Sequence, residues 1–538
     1  MKRSLFLAVC SLVVMNLHAQ RTTDEIPYGL SNRSIDKIQV ADMLQAPDLL
    51  HIIKEDSEND RMDTPLRFAV PVWVNYNPDN SGVWQQLDDG SKIWRLKVNI
   101  PGALGIITYY DRFWLPEGGK FWVYSEDSHQ YIGAITSDFI ESRKEMPIKF
   151  ATAIIYGDNI VYEYYQPVES TELPVISINH INYGYRYIDN PFSNDSKNFG
   201  DAGSCQVNIN CSEGDNWQLE KFAVTRIITT TYPSGPSYWA SGALLNNTSN
   251  DLTPYVLTAN HCLHGYDAMG YSDAGNWIFY WQYEHPGCSN SLTEPTIRSS
   301  TGATIVANNS VSDFALVKIK PLQDPKKISG VFPYYLGWDR SGNSGDPGVG
   351  IHHPRGDVKK IATVNTTPLS THLANYNVNV NGFAWKVNWK STVNGHSVPE
   401  GGSSGSPLIN INRRVIGQLY GGYTDCNYKN ESSWYGKFSV SWTGNGATDN
   451  SSKLQPWLDT SNTYTVLNGI SCPTIVNFIG TVTTPITVTT NTTIISCGDI
   501  NVQYVKVQNG AKLILDAGDN VNFISDFEVE LGSELEIK

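Results

Sequence analysis

Apolar and polar positions alternate along most of the chain from residue 68 onward. Segments 68–74, 92–100, 106–110, 120–124 and 151–163 carry hydrophobic side chains at every second position, separated by clusters of Asn, Asp, Gly and Pro. Successive side chains of a strand point to opposite faces, so this period of two predicts strands with one buried face. Short strands between tight turns predict an antiparallel sandwich. One stretch ahead of them, 43–53, has helix-like apolar spacing. Residues 189–201, rich in Asn, Ser, Asp and Gly, predict an exposed linker. Beyond Cys472 the chain turns to Thr, Val, Ile and Asn, and its short alternating runs break at Gly510, Gly518 and Gly532. That pattern predicts stacked β rungs, each needing its neighbour to bury a face. The expected fold class is mainly β.

Composition narrows this picture. A chain of 538 residues has room for about three domains. With 40% hydrophobic and 17% charged residues it can bury real cores. A net charge of −14 argues against nucleic acid as a partner, because phosphate neutralisation needs clustered Lys and Arg. The N-terminus reads Met1-Lys2-Arg3, then an apolar core over 5–14, then Leu17-His18-Ala19-Gln20. This predicts a secretory signal peptide, residues 1–19, cut after Ala19. Val9 is a poor residue before a lipidated cysteine, so Cys10 is read as part of that core. The expected location is secreted: extracellular, cell-surface or periplasmic. No second apolar run reaches the roughly 20 residues of a membrane span. Seven of the eight cysteines then remain in a disulfide-permissive setting.

Three segments carry the chemistry. They are Tyr255-Val-Leu-Thr-Ala-Asn-His-Cys262, Val311-Ser-Asp-Phe-Ala-Leu-Val-Lys-Ile319 and Gly401-Gly-Ser-Ser-Gly-Ser-Pro-Leu-Ile409. A serine hydroxyl becomes nucleophilic when an imidazole takes its proton, and a buried carboxylate holds that imidazole in one tautomer. Backbone N–H groups of a tight glycine turn can face the oxyanion that then develops. His261, Asp313 and Ser404 are accordingly the expected catalytic residues, with the N–H groups of Gly402 and Ser404 as oxyanion hole. Ser403 and Ser406 are expected to be turn residues. The pair His352-His353 is read as structural rather than metal-binding, since neighbouring strand residues face opposite ways. His264 is read as a loop residue, and one of Trp385 and Trp389 as core.

These motifs, with Gly203-Ser-Cys205, Leu336-Gly-Trp-Asp-Arg340, Ile351-His-His-Pro354 and Ser441-Trp-Thr-Gly444, make residues 200–467 resemble the lysyl endopeptidase branch of the chymotrypsin-like serine proteases. The resemblance implies two six-stranded β-barrels with the active site between them, and a serine endopeptidase that needs no cofactor. It implies domains at 1–19 (signal), 20–199 (β-rich pro-region), 200–470 (protease) and 471–538 (β-stack, similar to modules of secreted bacterial surface proteins). Maturation is expected near the 199–200 bond, or after Lys197. The expected partners are protein or peptide substrates acted on by a monomer, and the tail leaves cell-surface attachment open. The competing reading is a catalytically silent protease-fold surface or binding protein.

Lysine preference in this family rests on an acidic residue, and the matching position here is Ser433. Asp425, Glu431 and Glu400 are the substitute carboxylates, each expected to be solvated, and a basic P1 residue is the first expectation. Tyr420 stands where the family has a histidine, with Gly421 and Gly422 leaving room for substrate backbone. The resemblance pairs Cys205 with Cys426 and Cys211 with Cys288, and Cys472 is expected to pair with Cys497. The family partner of Cys262 is replaced by Ala240, which leaves Cys262 as an expected buried free thiol.

Overall fold

The computed structural model describes residues 25–31, 42–60, 64–127, 130–139, 142–188, 201–232, 235–264, 271–272, 274–290, 295–372 and 382–538. The signal peptide, Lys197 and the 199–200 bond lie outside the described residues. The described residues divide into two units, one ending at Cys472 and the other holding residues 473–538.

The N-terminal part of the larger unit is a sandwich of two sheets. One is built on Lys92–Asn99, Asn159–Gln166, Lys120–Ser125 and Tyr131–Ile135; the other on Leu66–Tyr76, Val175–Gly184, Gly105–Trp114 and Ile148–Tyr156. Trp94, Leu96, Phe121 and Tyr162 of the first meet Ile106, Tyr110, Phe113 and Ile178 of the second in one core. The alternation seen at 151–163 is two strands rather than one. Gly157 (φ +91°) turns the chain between them, so that Ile148–Tyr156 and Asn159–Gln166 enter opposite sheets. The helix expected over 43–53 runs instead from Leu49 to Asn59, because the Asp48 carboxylate caps it by accepting from Leu50 N and His51 N.

Two further strand systems follow. The first contains Val224–Tyr232, Ser237–Leu245, Tyr255–Ala259, Ile278–Tyr280, Ser299–Thr301, Ala303–Asn309 and Phe314–Ile319. The second is a nine-stranded sheet that includes Val349–His352, Lys360–Thr363, Ala384–Val387, Pro407–Ile409, Arg414–Gly422 and Ser433–Lys437. Trp385 and Trp389 are both buried in the core of the second system.

The sandwich and the first of these systems share a sheet. Strand Leu66–Tyr76 pairs antiparallel with Ser237–Leu245 in the register Ser237↔Ala69, Tyr238↔Arg67 and Trp239↔Leu66. Phe68 stacks on Trp239 at 4.1 Å between ring centroids. Leu66, Phe68, Ile107 and Tyr109 fall in one hydrophobic cluster with Ile228, Trp239, Ile278 and Val358. Hydrophobic burial is therefore continuous across the expected domain boundary near residue 200.

Residues 473–538 form a small β-stack by themselves. Ile475–Ile479, Asp499–Val507 and Val521–Val529 pair in parallel, as do Thr492–Ser496, Lys512–Ala517 and Glu534–Ile537. Val502, Val505, Leu513 and Leu515 are its buried centre. Asn477, Asn501 and Asn522 link successive rungs through their side-chain amides.

Candidate active site

His261 and Asp313 lie 52 residues apart and meet because their strands are neighbours. Tyr255–Ala259 pairs antiparallel with Phe314–Ile319, with Ala259 opposite Phe314. His261 sits on the turn just after the first strand, and Asp313 just before the second. Asp313 has a left-handed backbone (φ +56°), and its carbonyl accepts from Asn260 N at 2.9 Å. Its carboxylate grips His261 twice: Oδ1 accepts from the backbone N–H and Oδ2 lies against Nδ1, both at 2.8 Å. Burial opposes protonation of this imidazole, but the Asp313 carboxylate outweighs it, with a smaller contribution from Cys262, and the pKa rises well above 6.5. Nε2 is buried and has no hydrogen-bond partner among the described residues.

The turn Gly401–Ser406 is held from both strand systems. Ser241 N donates to the Ser404 carbonyl at 2.8 Å and Ser241 Oγ to the Gly402 carbonyl at 3.0 Å. On the other side Gly405 N donates to Leu419 O, and Leu419 N to Ser406 O. Gly405 (φ +82°) packs so tightly on Thr258 Oγ1, Ser241 O and Ala259 N that no Cβ fits there. The residue after Ser404 is therefore packed against Ala259, two residues before His261. Gly402 has φ +89°, and neither its N–H nor that of Ser404 is used by another described residue.

Ser403 does more than turn the chain. Its hydroxyl lies 2.8 Å from His352 Nδ1 and accepts from Glu400 N at 3.2 Å. His353 Nδ1 is 2.9 Å from the Asp357 carbonyl. Burial, reinforced by nearby Lys360, pushes the His352 pKa down to about 3; burial likewise carries His353 well below its usual value. Both imidazoles are thus neutral, buried braces behind the Ser404 turn. Neither Ser403 nor Ser241 was marked by the sequence beyond its place near a motif, because each acts through a partner 51 to 163 residues away in the chain.

A cleft of about 870 Å³ opens beside Ser404, with Pro399, Glu400, Gly401, Leu419, Gly421 and Thr424 among its walls. The three candidate carboxylates differ sharply. Glu400 is buried rather than solvated, and is neutralised by Arg355 at 2.9 Å, Gly203 N at 2.9 Å and Gln206 Nε2 at 3.0 Å. Asp425 lines the cleft half-buried; its Oδ1 accepts from Asn427 N and Tyr428 N. Glu431 is exposed. Ser433 is fully buried, its hydroxyl taking Trp389 Nε1 at 3.0 Å and lying 3.1 Å from Thr424 Oγ1, so it meets the cleft through Thr424. Tyr420 is buried and edge-on to His261, 6.1 Å between centroids.

Disulfides join Cys205 to Cys426 and Cys211 to Cys288. Cys472 and Cys497 are each disulfide-bonded. Cys262 is free and buried, and Ala240 is buried on strand Ser237–Leu245. Among the described residues no helix is long and apolar enough to cross a membrane.

Residues 199–436, which contain His261, Asp313 and Ser404, match the family model of the lysyl endopeptidase C-terminal domain. This stretch is similar to a lysyl endopeptidase domain. Over 308 residues the chain is 26% identical to the lysyl endopeptidase of Pseudomonas aeruginosa, a match covering 55% of this chain and 62% of that protein. The chain thus spans less than two thirds of its curated relative. Solved structures similar to it include the Rv3671c protease of M. tuberculosis in its active form (16% identity, 45% of this chain and 88% of that one, TM-score 0.28). Another is the thermostable serine protease AL20 from an extremophilic microorganism (15% identity, 45% and 100%, TM-score 0.29). The matched stretch begins beyond the N-terminal sandwich and ends before the β-stack, so neither flanking region is part of the match.

Proposed function

We propose that the chain is a secreted serine endopeptidase in which His261, Asp313 and Ser404 form the triad. The observation that carries this reading is the double grip of Asp313 on His261, N and Nδ1 both at 2.8 Å, with no partner for Nε2 among the described residues. In the reaction, Nε2 takes the Ser404 Oγ proton as Oγ attacks the scissile carbonyl. The Gly402 and Ser404 N–H groups receive the oxyanion, and His261 returns the proton to the leaving amine. Water then hydrolyses the acyl-enzyme by the same route.

The substrate is a polypeptide with a basic P1 residue. Glu400 is fully engaged and Ser433 is neutral, so the P1 cation pairs with Asp425, whose Oδ2 has no partner among the described residues. The export signal is residues 1–19, the pro-region 20–199, the protease 200–470 and the β-stack 471–538. The disulfides suit an extracellular or periplasmic location. Digestion of a denatured protein mixture by the processed form lacking residues 20–199, with cleavage sites read by mass spectrometry, tests both parts. The account expects cuts after Lys or Arg that vanish in Ser404→Ala and lose their basic preference in Asp425→Asn. Equal cutting by wild type and Ser404→Ala refutes the triad, and an unchanged preference in Asp425→Asn refutes the P1 assignment.

A further inference from the structure

Substrates of such a cleft bind extended, adding a strand beside the catalytic serine. On the acyl side, Gly421 and Gly422, which line the cleft, offer that edge. On the leaving-group side, the corresponding edge is the start of strand Ser237–Leu245, whose Ser241 is bonded directly to Ser404. That edge is already taken. Trp239 pairs with Leu66, Tyr238 with Arg67 and Ser237 with Ala69. Followed two residues further, the same antiparallel course brings Thr64 level with Ser241. Thr64, Leu66 and Ser404 do line one cleft, together with Asp60 and Tyr187. Leu66 lies against the catalytic turn: a Cβ placed on Gly401 would be 3.0 Å from Leu66 Cδ1.

The segment leading into this strand is fastened by charge. Arg186 holds Asp60 through both guanidinium nitrogens at 2.6 and 2.9 Å and donates to the Arg67 carbonyl at 2.7 Å. Arg67 is buried against Asp56 at 2.8 Å, and the Asp56 carboxylate also takes the Tyr185 hydroxyl at 2.6 Å. The Arg186 and Arg355 guanidiniums both lie over the Tyr187 ring, 5.1 and 5.8 Å from its centroid. Arg355 in turn pairs with Glu400, four residues before Ser404. The fastening therefore runs from the N-terminal module to the base of the catalytic turn.

We infer that the N-terminal module inhibits the protease in cis by occupying the leaving-group side of the cleft with Thr64–Ala69 in a substrate's place, while the acyl side stays open. The inference rests on the serine-protease reading above and specifies how that site is controlled. It predicts an unusual selectivity. The intact chain reacts with small acylating groups that carry nothing beyond the scissile bond, and rejects peptides that extend past it.

The test uses the full chain with its N-terminal module attached. Peptides with one common acyl side, ending in lysine, are given zero to four residues after the scissile bond, and a small serine-reactive phosphonate is run in parallel with Ser404→Ala as blank. The expected result is phosphonate labelling of Ser404 and ester hydrolysis, with kcat/KM falling at least 100-fold once two residues follow the scissile bond. Leu66→Gly, which removes the side chain over Gly401, is expected to recover at least tenfold on the long peptides and to leave the ester unchanged. Intact chain that cleaves the four-residue extension as fast as the ester overturns the inference and leaves the enzyme reading standing. Absence of labelling and of hydrolysis in every form overturns the enzyme reading itself.

Discussion

Replacing Asp313 by Asn isolates the electrostatic part of the site. The carboxylate makes two bonds to His261, one to a backbone donor and one to the ring, both at 2.8 Å. An amide of the same shape has one accepting oxygen. If that oxygen keeps His261 N, the amide NH2 faces Nδ1 and obliges it to accept, which moves the ring proton to Nε2. An imidazole protonated at Nε2 cannot take the Ser404 proton, although nothing in the fold has moved. The wrong tautomer in a triad lowers kcat by about 10⁴, or about 5.4 kcal/mol at 1.36 kcal/mol per tenfold. The same change removes the charge that raises His261, so its pKa drops. In the wild type, activity grows as pH rises through a value above 6.5, because only neutral His261 can act as base; in Asp313→Asn that limb shifts to lower pH. The assay is single-turnover hydrolysis of a lysine ester from pH 5 to 10, with Tm measured alongside. A variant within tenfold of wild type at unchanged Tm refutes the role given to Asp313.

Three further outcomes follow from the same structure. His352 and His353 are neutral in the fold with depressed pKa values, so their contribution to stability is present above about 6.5 and is lost as pH falls towards the folded-state value, about 3 for His352; Tm should decline between pH 6.5 and 3, and less so in His352→Gln. Gly405→Ala forces a Cβ onto Thr258 and the Ser241 carbonyl at a positive φ, and should destabilise by upwards of about 3 kcal/mol in urea unfolding, with loss of active-site labelling. Alkylation in denaturant without reductant should modify Cys262 alone in the exported protein, since the other six cysteines beyond residue 20 are bridged; two or more modified cysteines contradict the pairing.

Much of this was legible in the sequence where local rules operate. Period-two alternation marks the strands, and contiguous motifs mark His261 and Asp313, which meet at 2.8 Å, and the turn that holds Ser404. Positions were misplaced where a single residue overrides the pattern, as when Asp48 starts the helix at Leu49 and Gly157 divides an apparently continuous strand. Long-range pairing left no local trace. Nothing near Glu400 predicts Arg355 as its neutralising partner, and Ser403 reads as a turn residue until His352 packs behind it. The joining of strand Leu66–Tyr76 to Ser237–Leu245 is likewise a matter of which edges meet in space, and alternation within either strand is silent about it.

The central claim is that Ser404 is a nucleophile activated by a paired His261 and Asp313. Mass-spectrometric mapping of the protein after exposure to a small fluorophosphonate tests it most directly. The account predicts one adduct, on the tryptic peptide containing Ser404, formed at a rate that falls about 10⁴-fold in His261→Ala and Asp313→Asn. An adduct spread over several serines, or a rate at Ser404 indifferent to those substitutions, would contradict it.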